Sequence, residues 1–212
     1  MSSFETNVFI NCPFDEGFIN DLLKPILFCL ISNGLTPRMS LEISDSGEFR
    51  LKKITEIIKQ CKYSIHDLSI VKSKKVGEYS RMNMPFELGI DFGLRNSEVK
   101  PLEEKKFLIL EAVKYDYQKA ISDISGMDIK VHGNETRKVF DCIYSWLSET
   151  VKISGQKPPL AYSYEFADFN AELFDETLLK YNDESIAKDY IENISIFEYI
   201  DEIRGFITRR AS

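Results

Sequence analysis

The chain predicts an α/β protein with a mostly parallel sheet. Short apolar runs alternate with helix-length amphipathic stretches, and polar, ligand-competent residues gather where those runs end. Its 212 residues suit one ordinary domain with an appendage, or two small domains. At 43% hydrophobic and 12% aromatic residues it carries enough apolar mass for a real core and too much for a disordered chain.

The first run, NVFIN (Asn7 to Asn11), ends at Cys12-Pro13 and reads as a buried strand. Asp15 then serves as a helix cap, and Phe18, Leu22, Ile26 and Leu30 recur every four residues to form one apolar stripe closed by Asn33-Gly34. Pro25 lies inside that pattern, so it either kinks the helix or marks its true start. Leu35 to Leu41 reads as a second strand with Arg38 near its end, and EISDSG follows as a polar loop. Leu51, Ile54, Ile57, Ile58 and Cys61 keep helical spacing, and YSIHDL (Tyr63 to Leu68) resumes a strand. A basic, polar loop covers residues 69–84, after which Pro85 fits a first helical position and Phe86 to Leu94 continue the helix. KFLIL (Lys106 to Leu110) and DIKVH (Asp128 to His132) supply a fourth and a fifth strand, and Glu135 to Val151 a helix bearing the single tryptophan, Trp146. The expected organisation is an α/β domain over residues 1–151, a linker over 152–161 (KISGQKPPLA is rich in Gly and Pro), and an acidic, helical C-terminal extension over 162–212.

Composition narrows the function classes. A net charge of -7 and a pI near 5.1 argue against sequence-independent binding to DNA or RNA, which needs a basic surface. The longest apolar stretch, Ile26 to Ile31, is too short to span a bilayer, and the N-terminus does not read as a signal peptide, so no membrane association is expected. Cys12, Cys29, Cys61 and Cys142 are scattered, with no CxxC pair and only His66 and His132 as partners. They read as buried free thiols of a cytoplasmic protein rather than as metal ligands.

In an open α/β sheet, ligands bind beyond the carboxyl ends of the strands. That geometry selects residues 11–15, 38–50, 66–69 and 81–87. Glu87 stands out. It falls at the start of a helix, where its plainer role is to complement the helix dipole for about 0.3–1 kcal/mol, yet Phe86 and Leu88 beside it suggest burial with a purpose. Asp67 ends a strand and either caps the following loop or meets a ligand. His66 and Asp67 alternate across that strand, so at most one faces a given side, and His66 reads as a satisfied structural histidine. Arg38, Arg50 and Arg81 are each able to clamp a phosphate through paired donors, although each alone is more often a surface ion-pair residue.

The opening NVFINCPFDEGF, the strand end IHDLS and the helix start MPFELG together resemble bacterial TIR-like proteins (Toll/interleukin-1 receptor type) and the related nucleoside deoxyribosyltransferase-like group. In those proteins a strand-ending aspartate precedes a helix carrying F-E-x-G. The resemblance covers roughly residues 5–150. It implies a flavodoxin-like three-layer sandwich, self-association, and action on a ribosyl N-glycosidic bond. By motif position Glu87 and Asp67 are the catalytic pair. The substrate contacts are drawn from Cys12, Pro13, Phe14, Asp15, Arg38, Arg50, Arg81, Asn83 and Phe86. The ligand expected is a small nucleotide, with NAD as first candidate substrate, no separate cofactor and no metal, and a place in bacterial defence is implied. The chain departs from the TIR pattern before the glutamate, where Arg81-Met82-Asn83-Met84-Pro85 replaces the usual small residue and Trp-Cys pair. Two other readings stay open: a non-catalytic nucleotide-binding or TIR-type interaction module, and a nucleoside or nucleotide deoxyribosyltransferase-like hydrolase.

Overall fold

A computed structural model describes residues 4–42, 47–70 and 82–211, with the side chains of Glu16 and Ala211 excepted. Five strands form one sheet: β1 (Asn7–Asn11), β2 (Thr36–Met39), β3 (Tyr63–Asp67), β4 (Lys106–Glu111) and β5 (Ile129–Val131). Every pairing is parallel and the order is β2-β1-β3-β4-β5, the flavodoxin-like arrangement whose switch point lies between β1 and β3. Parallel neighbours demand crossovers: helices α1 (Lys24–Ser32), α2 (Arg50–Lys59) and α3 (Asn83–Arg95) supply the first three, short 3-10 turns (Tyr117–Lys119, Ser122–Ile124) lie on the fourth, and α4 (Thr136–Trp146) follows β5. Three more helices follow, α5 (Pro159–Tyr181), α6 (Glu184–Asn193) and α7 (Ile196–Ala211).

The alternation of side chains along each strand sorts the layers. Val8, Ile10, Tyr63, Ile65, Leu108 and Leu110 face α1 and α4. From the opposite side Phe9 packs on Ile54, Ile57 and Ile58 of α2, while Ile109 meets Met84 and Leu88 of α3. Pro25 is no helix start: the chain is helical from Glu16 through Ser32, and the proline lies just past a π-helical stretch (Ile19–Leu23) within that run.

The C-terminal extension is helical, as the sequence suggests, and it continues the same core. Phe169 and Leu173 of α5, and Tyr199, Ile203 and Phe206 of α7, are buried in one cluster with Phe28 of α1 and Phe140 of α4. Phe28, Phe169 and Phe206 stack within 6.2 Å of one another. The linker is shorter than its composition implies, because α5 already begins at Pro159 with proline in its first turn. Among the described residues no helix is long and apolar enough to cross a membrane, and all four cysteines are buried and unpaired.

Candidate functional site

The segment after β1 (Cys12 to Phe14), Ser40 beyond β2, and the first turns of α2 and α3 converge at the strand ends. Between them lie two adjoining hollows. One, of about 270 Å3, is lined by residues that include Asn11, Cys12, Pro13, Phe14, Arg50, Asn83 and Glu87. The other, of about 340 Å3, shares Arg50, Asn83 and Glu87 and adds Phe49, Leu51, Ile54 and Phe86. Both volumes suit one part of a nucleotide.

Glu87 sits where the two meet. Helix α3 starts at Asn83 rather than Pro85, so Glu87 is its fifth residue, past the first turn where a carboxylate pairs with the helix-end amides. Its side chain is only 7% exposed and makes no hydrogen bond or ion pair with any described residue. Burial pushes its pKa up from 4.5 to about 7, and the Arg50 guanidinium acts in the opposite direction. A buried carboxylate without a hydrogen bond among the described residues is costly, which distinguishes it from an ordinary helix-surface glutamate. Arg50 itself is held only loosely, with 3.5 Å to Ser40 Oγ. Phe49 and Phe86 stand 78% and 56% exposed at the rim of the larger hollow, open to a planar ring.

Beneath this site runs a buried polar chain. Asn11 Nδ2 donates to Met84 O (2.8 Å) and lies 2.9 Å from His66 Nδ1; His66 Nε2 lies 3.0 Å from Asp91 Oδ2; and Asp91 Oδ1 is 3.1 Å from Lys105 Nζ. The Lys105 ammonium also donates to Ile58 O (2.8 Å) and to Cys61 O, at the C-terminal end of α2 where a cation is favoured. His66, Asp91 and Lys105 are fully enclosed. Burial alone raises the Asp91 carboxyl, but the hydrogen bond from His66 and the charge of Lys105 beside it hold the group below its ordinary value. His66 is thus a satisfied structural histidine.

Asp67 is not part of the Glu87 site, which corrects its assignment as a catalytic partner. It shares the strand face of Tyr63 and Ile65, on the α1 and α4 side of the sheet, and lines neither hollow. Its Oδ1 accepts the Ser69 N–H (2.9 Å) and its Oδ2 lies 3.0 Å from His132 Nε2. Ser69 Oγ is also 3.0 Å from His132 Nε2, while His132 Nδ1 accepts the Asn134 N–H at 3.0 Å. A hydrolase triad needs the two ring nitrogens to serve acid and nucleophile separately. Here one nitrogen meets both partners and the other is occupied, so the trio is a structural clasp. Cys12 lies between the two acids, and burial, then Asp67, then Glu87, push its thiol pKa up, which leaves it inert.

Two further sequence assignments move. Arg38 turns away from the site into an ion pair with Glu42 at 2.8 Å and borders a separate cavity with Asn7 and Gln60. Asp15 lines a different hollow beside Ser69 and Asp21. Arg81 lies outside the described residues. Cys12, Pro13, Phe14, Arg50, Asn83, Phe86 and Glu87 come together. Sequence reasoning took in Asn11 and Phe49 only as members of the segments 11–15 and 38–50, and it passed over the Asp91–Lys105 pair. Asp91 had a readable signal: it falls four residues after Glu87 and three after Leu88, on the buried stripe of α3.

Among the described residues no group of three His, Cys, Asp or Glu side chains is placed to hold a metal ion. No family model matches the chain, and no curated protein or solved structure matches it either. Fold and site therefore define a class only: a flavodoxin-like α/β protein with a polar, aromatic-rimmed crevice at its switch point.

Proposed function

We propose that the protein cleaves the N-glycosidic bond of a nucleotide, with NAD as the first substrate to try, and that Glu87 is its catalytic residue. The observation that carries this reading is the Glu87 carboxylate, buried at the junction of two ligand-sized hollows and without a hydrogen bond among the described residues.

The chemistry follows from charge. Breaking the bond between ribose C1′ and a cationic nicotinamide ring leaves positive charge on the sugar, while nicotinamide departs neutral with the bonding electrons. A desolvated carboxylate beside C1′ stabilises that charge strongly, because no water competes for it, or attacks C1′ to give a glycosyl ester that water later hydrolyses. A neutral leaving group needs no strong acid, in keeping with a crevice whose described lining has no histidine. Arg50 is available to a phosphate, Asn83 to a polar group of the substrate, and Phe49 with Phe86 to a flat ring. One carboxylate suffices, so the separation of Asp67 from the crevice removes a residue from the scheme and leaves the scheme standing. A part in bacterial defence belongs to the same reading.

The test is chromatography of NAD and a mixture of nucleotides after incubation with concentrated protein. Nicotinamide release by the wild type and its loss in Glu87→Gln are expected. Full turnover in the variant overturns the role of Glu87. Release of a free purine or pyrimidine instead of nicotinamide reassigns the substrate. Tight binding of a nucleotide without turnover favours a binding module.

A further inference from the structure

The chain Lys105–Asp91–His66–Asn11 has a direction, and that direction determines what its last member offers the crevice. Lys105 Nζ donates to Ile58 O and Cys61 O and pairs with the Asp91 carboxylate at 3.1 Å. Asp91 Oδ2 in turn accepts from His66, so the imidazole proton sits on Nε2. His66 Nδ1 is then an acceptor, matched by the Asn11 amide nitrogen at 2.9 Å. The second Asn11 N–H points at Met84 O, and an inverted carboxamide would set two oxygens 2.8 Å apart without a hydrogen between them. Both amide hydrogens are therefore spent inward. The Asn11 carboxamide oxygen accepts no hydrogen bond from any described residue, and Asn11 lines the crevice. Met84, whose carbonyl Asn11 holds, precedes Glu87 by three positions on α3, and Asn11 and Glu87 line the same hollow.

Resting on the nucleotide N-glycosidase reading, we propose that Asn11 is a specificity-determining residue whose fixed carboxamide oxygen accepts the 2′-hydroxyl of the scissile ribose, making the crevice selective for ribosyl over 2′-deoxyribosyl ligands. The 2′-hydroxyl is the donor next to C1′, where Glu87 acts. An acceptor locked by buried partners cannot turn to offer an N–H instead, so a ligand lacking that hydroxyl leaves the oxygen dry and unpaired. Lys105, Asp91 and His66 touch no ligand and act as positioning residues.

The experiment is isothermal titration of the full chain with ADP-ribose and with its analogue lacking the 2′-hydroxyl on the terminal ribose, neither of which has nicotinamide to lose. The wild type is expected to bind the hydroxylated ligand about tenfold more tightly, and Asn11→Ala to bind the two within about twofold of each other. Because Asn11→Ala strips partners from His66 and Met84, it is first checked for a cooperative melt. If it fails that check, the side-chain amide resonance of Asn11 in the wild type is followed, which is expected to move with ADP-ribose and stay in place with the deoxy analogue. Equal binding of both ligands by the wild type overturns the assignment of Asn11 and leaves the function intact. Selectivity that survives in Asn11→Ala, or an amide resonance that responds alike to both ligands, overturns it too. Failure of the wild type to bind either ligand overturns the nucleotide reading itself, and this inference with it.

Discussion

Glu87→Gln is expected to make the folded protein more stable in mild alkali and to leave it almost unchanged in acid. Lifting a carboxyl from 4.5 to about 7 means that the folded state holds its proton where the unfolded state has released it. The stability this contributes is complete below about pH 4.5. It is lost as pH rises through about 7, by about 3 kcal/mol in total at 1.36 kcal/mol per unit. Glutamine has nearly the same shape and never ionises. The difference between variant and wild type therefore starts near zero at pH 4, grows through the window, and levels off near pH 8 at up to about 3 kcal/mol in favour of the variant. Urea unfolding at a series of pH values measures it directly, and the other titrating groups cancel because both proteins carry them. A difference that stays flat from pH 4 to pH 8 would show that Glu87 is solvated like any surface acid, and the catalytic proposal would lose its physical basis. Loss of turnover together with a gain in stability would be the mark of a residue kept for function at the fold's expense.

Other perturbations address the frame around the crevice. Lys105→Met should destabilise the protein by about 3–5 kcal/mol in denaturant titration, because it strands Asp91 as an unpaired buried charge; a loss under 1 kcal/mol would mean that the ammonium is not enclosed. Asp67→Asn should cost about 1–3 kcal/mol of stability through the weakened clasp on Ser69 and His132, with turnover falling by less than about tenfold. A collapse of activity without loss of stability would return Asp67 to the catalytic role. Deleting residues 159–212 should abolish the cooperative melting transition, since Phe169, Leu173, Tyr199, Ile203 and Phe206 each bury about 1.5–3 kcal/mol of apolar side chain against α1 and α4; a truncated chain with a sharp transition would show the extension to be dispensable.

The architecture was readable because it rests on periodicity. β1 and β3 begin where the apolar runs do, and the irregularity at Pro25 falls where a π-helical stretch meets α1. The helical character of residues 162–212 was readable too, but not their burial. Phe169, Tyr199 and Phe206 look alike in sequence whether they cover a neighbour or face a partner, and only their seat beside Phe28 decides it. For the site, the rule that ligands meet strand ends drew in Cys12, Phe14, Arg50, Asn83 and Glu87, which do line one hollow. It misplaced Arg38 and Asp67, because proximity along the sheet edge says nothing of the face to which a side chain turns. The parity of Asp67 with Tyr63 and Ile65 on β3 was the available clue. The pairing of His66 with Asp91 and Lys105 was invisible, since it joins residues 25 and 39 positions away whose charge in sequence suggests water.

The two helical layers are unequal in depth. α1 and α4 lie beneath the C-terminal helices, whereas the main contacts of α2 and α3 are with the sheet and with each other. Breathing of the native state will therefore concentrate in the thinner layer, the one that presents Arg50, Asn83 and Glu87, while the thick layer holds the sheet still. Ligand entry and product escape can thus draw on local loosening without endangering the fold as a whole, and changes that accumulate on the outer surface of α2 and α3 have more freedom to retune access than any on the armoured side.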